Sequence, residues 1–373
     1  MKISKFLDEL LRRLFDRLVA KTTATCSFNV LKQLISWSTG NNFSATTLLC
    51  TTDVIDLYTM IPQTEGVLAI KQMLDELNLK HIGGLHSETI IRLCRFVMQN
   101  NYFTYEKKFY HQKRGGAMGS PLTLTIANCY MFFFEKNIIK QINNAGGFYT
   151  TYIDDILIAV NWPNLHPQKQ ITRWNEIDSN IKLNTQTGWS TNFLGLYIEN
   201  INGHLFTKVF HKPSYEPYFL PFNSMHPMHM KEKKIPYEML FRGIKYCSTF
   251  EAYIDKREQL QMSLLLNKYP GEFIDKQFNR LLKKLDIDQP LTNINYDQFR
   301  QKMIHSPIRE KTSVEFGSSM FIHFTFCDSM KSFPSKFHLL WNKYFAESPI
   351  NEVRPIVGTR NVNNLQQQLV FNR

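Results

Sequence analysis

Apolar residues recur at positions 3, 6, 7, 10, 11, 14, 15, 18 and 19, the spacing of one helix face, so residues 1–20 predict an amphipathic helix. Thr47-Leu48-Leu49-Cys50-Thr51-Thr52 is a short apolar run that predicts a strand ending at Asp53. Ile61-Pro62 then opens a helical pattern through Val67, Ile70, Met73, Leu74 and Leu77, with proline suited to the first turn. Residues 86–100 predict a second helix, and Tyr102–Tyr110 alternates aromatic and basic positions as a strand or hairpin does. The Gly-rich stretch 114–121 leads into a helix reaching about Gln141. Phe148–Ile153 and Ile156–Val160 flank Asp154-Asp155 as two arms of a hairpin, and Phe193–Glu199 and His204–Phe210 flank Asn202-Gly203, a strong hairpin-turn signal. Beyond a proline-punctuated loop from Pro213 to Pro236, residues 237–285 read as helical and basic, with Arg242, Lys245, Lys256, Arg257, Arg280, Lys283 and Lys284.

An isolated Asp-Asp pair is commonly a solvated turn, because turns favour aspartate. Apolar flanks change its meaning: adjacent carboxylates at the tip of a buried hairpin repel each other and lose solvation, and divalent cations offset that charge most simply. If the Asp53 strand lies beside the hairpin, Asp53, Asp154 and Asp155 converge. Three carboxylates on a strand platform suit two Mg²⁺ ions aligned for in-line phosphoryl transfer, with Mn²⁺ as a substitute.

Composition narrows the partners. The 373 residues are 43% hydrophobic and 13% aromatic, enough for real cores. Lys plus Arg number 44 against 32 Asp plus Glu, a net charge of +12 that attracts polyanions; nucleic acid is the natural partner and an anionic membrane the competitor. The six cysteines form no Cys-x-x-Cys pair, which speaks against a disulfide framework or zinc knuckle and fits an intracellular, reducing compartment. His226 and His229 have a ligand-like spacing without a nearby cysteine or intervening acid, and read better as loop residues beside Pro227. Asp8, Glu9 and Asp16 speak against a targeting peptide. Gly115–Phe134 carries no charge for 20 residues, but Gly, Ser, Pro, Thr and Asn crowd its first half, which predicts a loop running into a buried helix rather than a membrane span.

Four segments, in order, resemble motifs A, B, C and E of reverse transcriptases: Asp53-Val54-Ile55-Asp56-Leu57-Tyr58-Thr59-Met60-Ile61-Pro62, Gly115-Gly116-Ala117-Met118-Gly119-Ser120-Pro121, Tyr152-Ile153-Asp154-Asp155 and Asn192-Phe193-Leu194-Gly195-Leu196. The wording is most similar to Penelope-like retroelements, relatives of telomerase reverse transcriptase. The resemblance implies an α+β fold, a right-hand polymerase palm with partial fingers and a helical thumb. Residues 1–46 would be a helical fingers remnant, 47–225 the palm with an embedded fingers segment at about 80–114 and a primer-grip hairpin, and 226–373 a basic thumb-like region with a tail.

Carried over by residue, Asp53 and Asp154 would be the principal metal ligands, Asp155 the accessory acid and the Val54 carbonyl a further ligand. Asp56 lies outside the matched position and is expected to be solvated. Tyr58 matches a bulky steric gate that leaves no room for a 2′-hydroxyl; without the family it reads equally as a core aromatic. Met118, Gly119, Ser120 and Pro121 match the loop that approaches nucleotide and template. Phe193, Leu194 and Gly195, with the Asn202-Gly203 hairpin and nearby Lys208 and Lys212, match the primer grip; an ordinary surface hairpin is the bland alternative. The expected partners are an RNA or DNA template, a primer with a 3′-hydroxyl and dNTPs, acting at chromosomal DNA in the nucleus.

The family also carries a basic fingers module ahead of the segment that opens this chain, Lys2-Ile3-Ser4-Lys5-Phe6-Leu7. Its cations hold the triphosphate, each contact contributing about 1.5–3 kcal/mol. Gly195 stands where the family has an aspartate, and no GIY-YIG endonuclease pair is present. A truncated polymerase core is the leading expectation and a non-catalytic nucleic-acid-binding remnant the alternative. An RNA-templated RNA polymerase or nucleotide cyclase is disfavoured by the bulky Tyr58. The ribbon Tyr102–Tyr110 either touches template or packs its rings in a core.

Overall fold

In the computed structural model of the chain, which describes residues 2–360 apart from 21, 217–218, 225, 227–230, 232–234, 288 and 306–318, the acid-bearing strands lie side by side. The chain divides into two compact units, Met1–Lys212 and Pro213–Arg373. The first contains, in order, α1 (Lys2–Val19), α2 (Ser27–Trp37), β1 (Leu48–Val54), α3 (Leu57–Met60), α4 (Gln63–Glu76), β2 (His81–Ile82), β3 (Leu85–His86), α5 (Ser87–Gln99), β4 (Tyr102–Tyr105), β5 (Lys108–His111) and α6 (Pro121–Asn144). It continues with β6 (Phe148–Tyr152), β7 (Asp155–Val160), α7 (His166–Ile177), β8 (Leu183–Gly188), β9 (Ser190–Phe193), β10 (Leu196–Ile201) and β11 (His204–Val209).

β6, β7, β1 and β8 form an antiparallel sheet in that order. Alternation along the strands sorts its two faces. Cys50, Val54, Ile156, Ile158, Val160 and Leu183 face a core filled by α6 and α7. Asp53 and Asp155 belong to the alternate set, with Thr51 and Leu157, so they stand on the opposite face.

A second core joins α1, α4, α5 and α6. Leu7, Leu11, Phe15 and Val19 of α1 are buried in it at four-residue intervals. α6 serves both cores: Leu122, Ile126 and Cys129 face the helices, while Met131, Ile138 and Ile142 face the sheet. Burial on two sides leaves little room for charge along residues 121–134, ahead of Glu135 and Lys136. That explains the uncharged stretch, and no described helix is long and apolar enough to cross a membrane.

Two differences from the sequence expectations stand out here. The segment 193–199 is not one strand: Leu194 (φ 49°) and Gly195 (φ 76°) make a two-residue turn that separates β9 from β10, a geometry in which positive φ at both central residues matches strand twist. β8, absent from the periodicity, completes the sheet beside β1.

The second unit contains helices Ile235–Tyr246, Phe250–Leu266, Gly271–Lys284, Tyr296–His305 and Phe333–Phe345. It is not wholly helical as expected, because Ser319–Thr325 and Arg354–Arg360 pair as parallel strands. The buried Tyr296 hydroxyl donates to the Ile244 and Cys247 carbonyls (3.1 and 2.9 Å), satisfying acceptors that the end of the first of these helices leaves open. Its basic residues divide. Lys245 and Arg257 lie over the Phe241 and Phe278 rings, and burial lowers the pKa of Lys256, whereas Arg280, Lys283 and Lys284 are exposed. His229, Pro217, Pro227 and the tail 361–373 lie outside the described residues.

Candidate active site

Sheet register assembles the acids. Asp53 on β1 is directly opposite Asp155 on β7, and Asp154 occupies the turn one residue earlier, its carbonyl accepting the Val54 N–H at 3.3 Å. Directly opposed residues of antiparallel strands share a face, and like charges there repel. The register thus brings all three expected acids to one end of the sheet, with Asp155 in the directly opposed position and Asp154 beside it in the turn. Burial raises the Asp155 pKa, and the Asp154 and Asp53 carboxylates raise it further, with Lys212 opposing them.

The turn itself is strained. Ile153, the first central residue between β6 and β7, has φ 60°, where glycine is favoured and a β-branched side chain is an outlier costing on the order of 1–3 kcal/mol. Tyr152 pairs with Asp155 across it, so the packed hairpin holds Asp154 at a position the local sequence disfavours.

Oxygen-only donors and accumulated negative charge fit hard divalent cations such as Mg²⁺. Among the described residues no three His, Cys, Asp or Glu side chains already form a closed ligand set. Asp53 is exposed. Asp56 is exposed at φ 53°, and its carbonyl, not its carboxylate, accepts the Thr59 and Met60 N–H groups at the start of α3.

Tyr58 follows on α3, half-buried against the sheet core. Burial raises its hydroxyl pKa, Asp154 raises it further and Arg12 of α1 lowers it, so Tyr58 lies within electrostatic reach of Asp154 and Arg12. Gly115 and Gly116 fix the backbone beneath this ring. The Gly116 N–H donates to the Tyr58 carbonyl (2.9 Å), the Gly115 N–H to that of Ile61 (3.0 Å), and Gln63 returns a bond to the Gly115 carbonyl (3.0 Å). Arg114 adds bonds to the Met60 carbonyl and Asn180 (3.0 and 2.7 Å). Sequence spacing relates Tyr58 to Asp53 but carries no sign of this contact across more than fifty residues.

Met118 and Gly119 are exposed, with Gly119 at φ 90° and open space where a Cβ would stand. Ser120 is the N-cap of α6, and the cap bond comes from elsewhere: Ser4 of α1 accepts the Leu122 N–H (3.2 Å) and bonds the Ser120 hydroxyl (2.8 Å). Asp8 of α1 accepts from Thr125 and holds Arg12 at 2.9 Å. α1 therefore braces the loop before α6.

The expected primer-grip residues divide between two ends. Phe193, Leu194 and Gly195 form the β9–β10 turn region; the Leu194 carbonyl accepts from Ser27, and Lys208, whose ammonium lies 4.9 Å from the Tyr197 ring centroid, is near it on β11. The Asn202-Gly203 turn is at the other end of that hairpin. It packs on residues 44–47, where Asn200 donates to the Ser44 and Thr47 carbonyls (2.9 and 2.8 Å). Those residues precede β1, roughly 20 Å or more from Asp53 at strand rise. That turn is not beside the acids.

A water-sized cavity behind the turn is lined by Asn128, Glu135, Thr151 and Ile153, among others. Burial pushes the Glu135 carboxyl up to about 8, only partly offset by the neighbouring Tyr149 hydroxyl. Folded protein then keeps this proton up to about pH 8, whereas unfolded chain releases it near the ordinary carboxyl value of 4.5. Its stabilising contribution is complete below about 4.5 and is lost as pH rises through 8. Since each tenfold in proton affinity is about 1.4 kcal/mol, the loss amounts to a few kcal/mol. Denaturant titrations across pH 5–9 are expected to show this slope in the parent and a flatter one in Glu135→Gln.

With this geometry in place, residues 218–279 match a family described as the animal helix-turn-helix domain. No curated protein matches the chain in sequence. A telomerase structure from Candida albicans, solved with a TWJ fragment of telomeric RNA, superposes with TM-score 0.53 at 13% identity over 79% of this chain and 49% of that one. Apo telomerase from Candida tropicalis gives 0.46 at 15% identity over 81% and 54%, and the Sicinivirus 3Dpol RNA-dependent RNA polymerase 0.40 at 13% over 67% and 54%. The chain spans about half the length of the telomerase chains it matches. The Candida albicans likeness supports a mixed helix-and-strand, polymerase-like fold.

Proposed function

We propose that this chain is the core of an RNA-directed DNA polymerase of the Penelope-like retroelement kind, transferring dNTPs to a primer 3′-hydroxyl. One observation carries the proposal: Asp53 faces Asp155 across β1 and β7, beside Asp154 in a strained turn. In this reading the sheet belongs to the palm (47–225), residues 1–46 and about 80–114 to the fingers, and 226–373 to a thumb-like region. The helix-turn-helix match supports a nucleic-acid-binding role for its helices.

Asp53, Asp154, Asp155 and the Val54 carbonyl would hold two Mg²⁺ ions, which when bound supply Lewis-acid activation of the primer hydroxyl and charge neutralisation of the departing pyrophosphate. The Tyr58 ring, fixed by Gly115 and Gly116, stands under the incoming sugar and excludes a 2′-hydroxyl. The loop before α6, with Met118 and Gly119 exposed and Ser120 and Pro121 following, lets backbone approach nucleotide and template, since glycine there adds no side chain. The Leu194-Gly195 turn, with Lys208 and Lys212, holds the primer end.

Primer extension on an RNA template with Mg²⁺, comparing dNTPs with NTPs, tests the proposal. Extension that prefers dNTPs is expected; salt-sensitive primer-template binding with no extension would leave a nucleic-acid-binding protein and remove the enzyme. Tyr58→Ala is expected to cut the preference for dNTPs by roughly 10- to 200-fold, the range associated with opening space for one small group. Unchanged sugar selectivity would make Tyr58 a packing residue.

A further inference from the structure

Among the described residues, little packs against the rings of the β4–β5 ribbon. Tyr102, Phe103, Tyr105, Phe109 and Tyr110 are 60, 51, 62, 83 and 40% exposed. Register places Tyr102, His111 and Phe109 on one face and Phe103, Tyr110 and Tyr105 on the other, so both faces are bare and aromatic. The rings are nonetheless ordered: Tyr102 stacks on His111 at 4.6 Å and 17°, and Phe103 on Tyr110 at 5.5 Å and 18°.

A lone two-stranded ribbon is marginal in water, and this one turns through Glu106 and Lys107, both at positive φ without a glycine. Its root is firmly held. The Gln112 N–H donates to Asn101 (2.9 Å), Asn101 donates to the Gln112 side chain (2.6 Å), and His111 donates to the Gln99 carbonyl (2.6 Å). Gln63 and Arg114 tie the same root to the segment carrying Tyr58. A cleft of about 670 Å³, with Lys2 on its wall, joins Asn100 and Asn101 at this root to the Met118–Ser120 loop.

We infer that this ribbon is a stacking platform for single-stranded nucleic acid. Flat rings at regular spacing offer π-faces to unpaired bases of any sequence, and Lys107, Lys108 and Lys113, against the single acid Glu106, offer charge to the phosphates. Cations beside bare rings favour a polyanion over an apolar protein partner. The strand runs from the loop at Met118 through the cleft to the ribbon. Its identity as unpaired template rests on the polymerase proposed above; the stacking surface does not.

The test measures binding of the full-length protein to a labelled oligouridine 12-mer and to a blunt RNA–DNA duplex. Phe109→Ala and Tyr102→Ala, both at exposed positions, are each expected to weaken single-strand binding roughly 5- to 100-fold, with duplex binding unchanged. Phe109→Trp restores it, and Lys107→Gln lowers the salt slope by about one. Equal affinity of the Ala variants and the parent would overturn the platform, and so would self-association of the parent that disappears in Phe109→Ala with oligouridine binding intact. Loss of extension activity alone overturns only the polymerase, and undiminished extension with unaltered strand binding in the ribbon variants overturns only the platform.

Discussion

Replacing Asp154 and Asp155 together by asparagine is expected to lower templated extension by roughly 10³-fold or more while leaving the folded protein at least as stable as its parent. The first effect follows if these carboxylates organise charge stabilisation during phosphoryl transfer; a thousandfold is about 4 kcal/mol of transition-state stabilisation. The second follows from the register. Asp53 and Asp155 are opposed across two strands, and the raised Asp155 pKa records that its ionised form is disfavoured there. Removing like charge at such a pair contributes roughly 0.5–2 kcal/mol. Thermal unfolding with chelator and with Mg²⁺ separates the roles. The parent should gain stability from Mg²⁺ and the double variant should not. A variant that is less stable than the parent in chelator would make these acids structural.

Gly115→Ala should have the largest effect of any single added methyl group. A Cβ at Gly115 would lie 2.4 Å from the Tyr58 carbonyl oxygen, 2.5 Å from Thr59 Cα and 2.7 Å from the Thr59 carbonyl oxygen. All three are backbone atoms, so no side chain can swing away. The residue also has φ 66°, unfavourable for alanine by about 1–2 kcal/mol. Separation of the two segments further threatens the Gly115–Ile61, Gly116–Tyr58 and Gln63–Gly115 hydrogen bonds, each contributing about 0.5–1.5 kcal/mol. A loss of roughly 2–4 kcal/mol in urea unfolding is expected, with weaker nucleotide binding and reduced sugar selectivity as Tyr58 shifts. Gly146→Ala is the matched control. Its φ is 67° but a Cβ there meets nothing within 4 Å, so it isolates the backbone cost. Equal losses in the two variants would show that the contact with Tyr58 adds nothing.

The local sequence carried much of the framework. Four-residue spacing marked the buried stripe of α1, because side-chain direction repeats with the helix turn, and short apolar runs marked β1, β6 and β7. The adjacent Asp154 and Asp155 between apolar arms marked a hairpin tip, and the uncharged stretch marked the buried α6. These signals reach only a few residues along the chain, so they identify an element and its inward face without identifying its neighbour.

Neighbours were decided by the tertiary structure. Which residue opposes Asp53, the insertion of β8 beside β1, and the approach of Gly115 to Tyr58 all join segments far apart in sequence, and no period records such pairing. The Leu194-Gly195 turn was hidden because one apolar run continues across it, and the Asn202-Gly203 signal named a real turn without giving its distance from the acids. The aromatic ribbon makes the division plain. Alternating rings and bases read the same whether buried or bare, because exposure depends on what the rest of the chain places against them, and here it places nothing described over most of those faces.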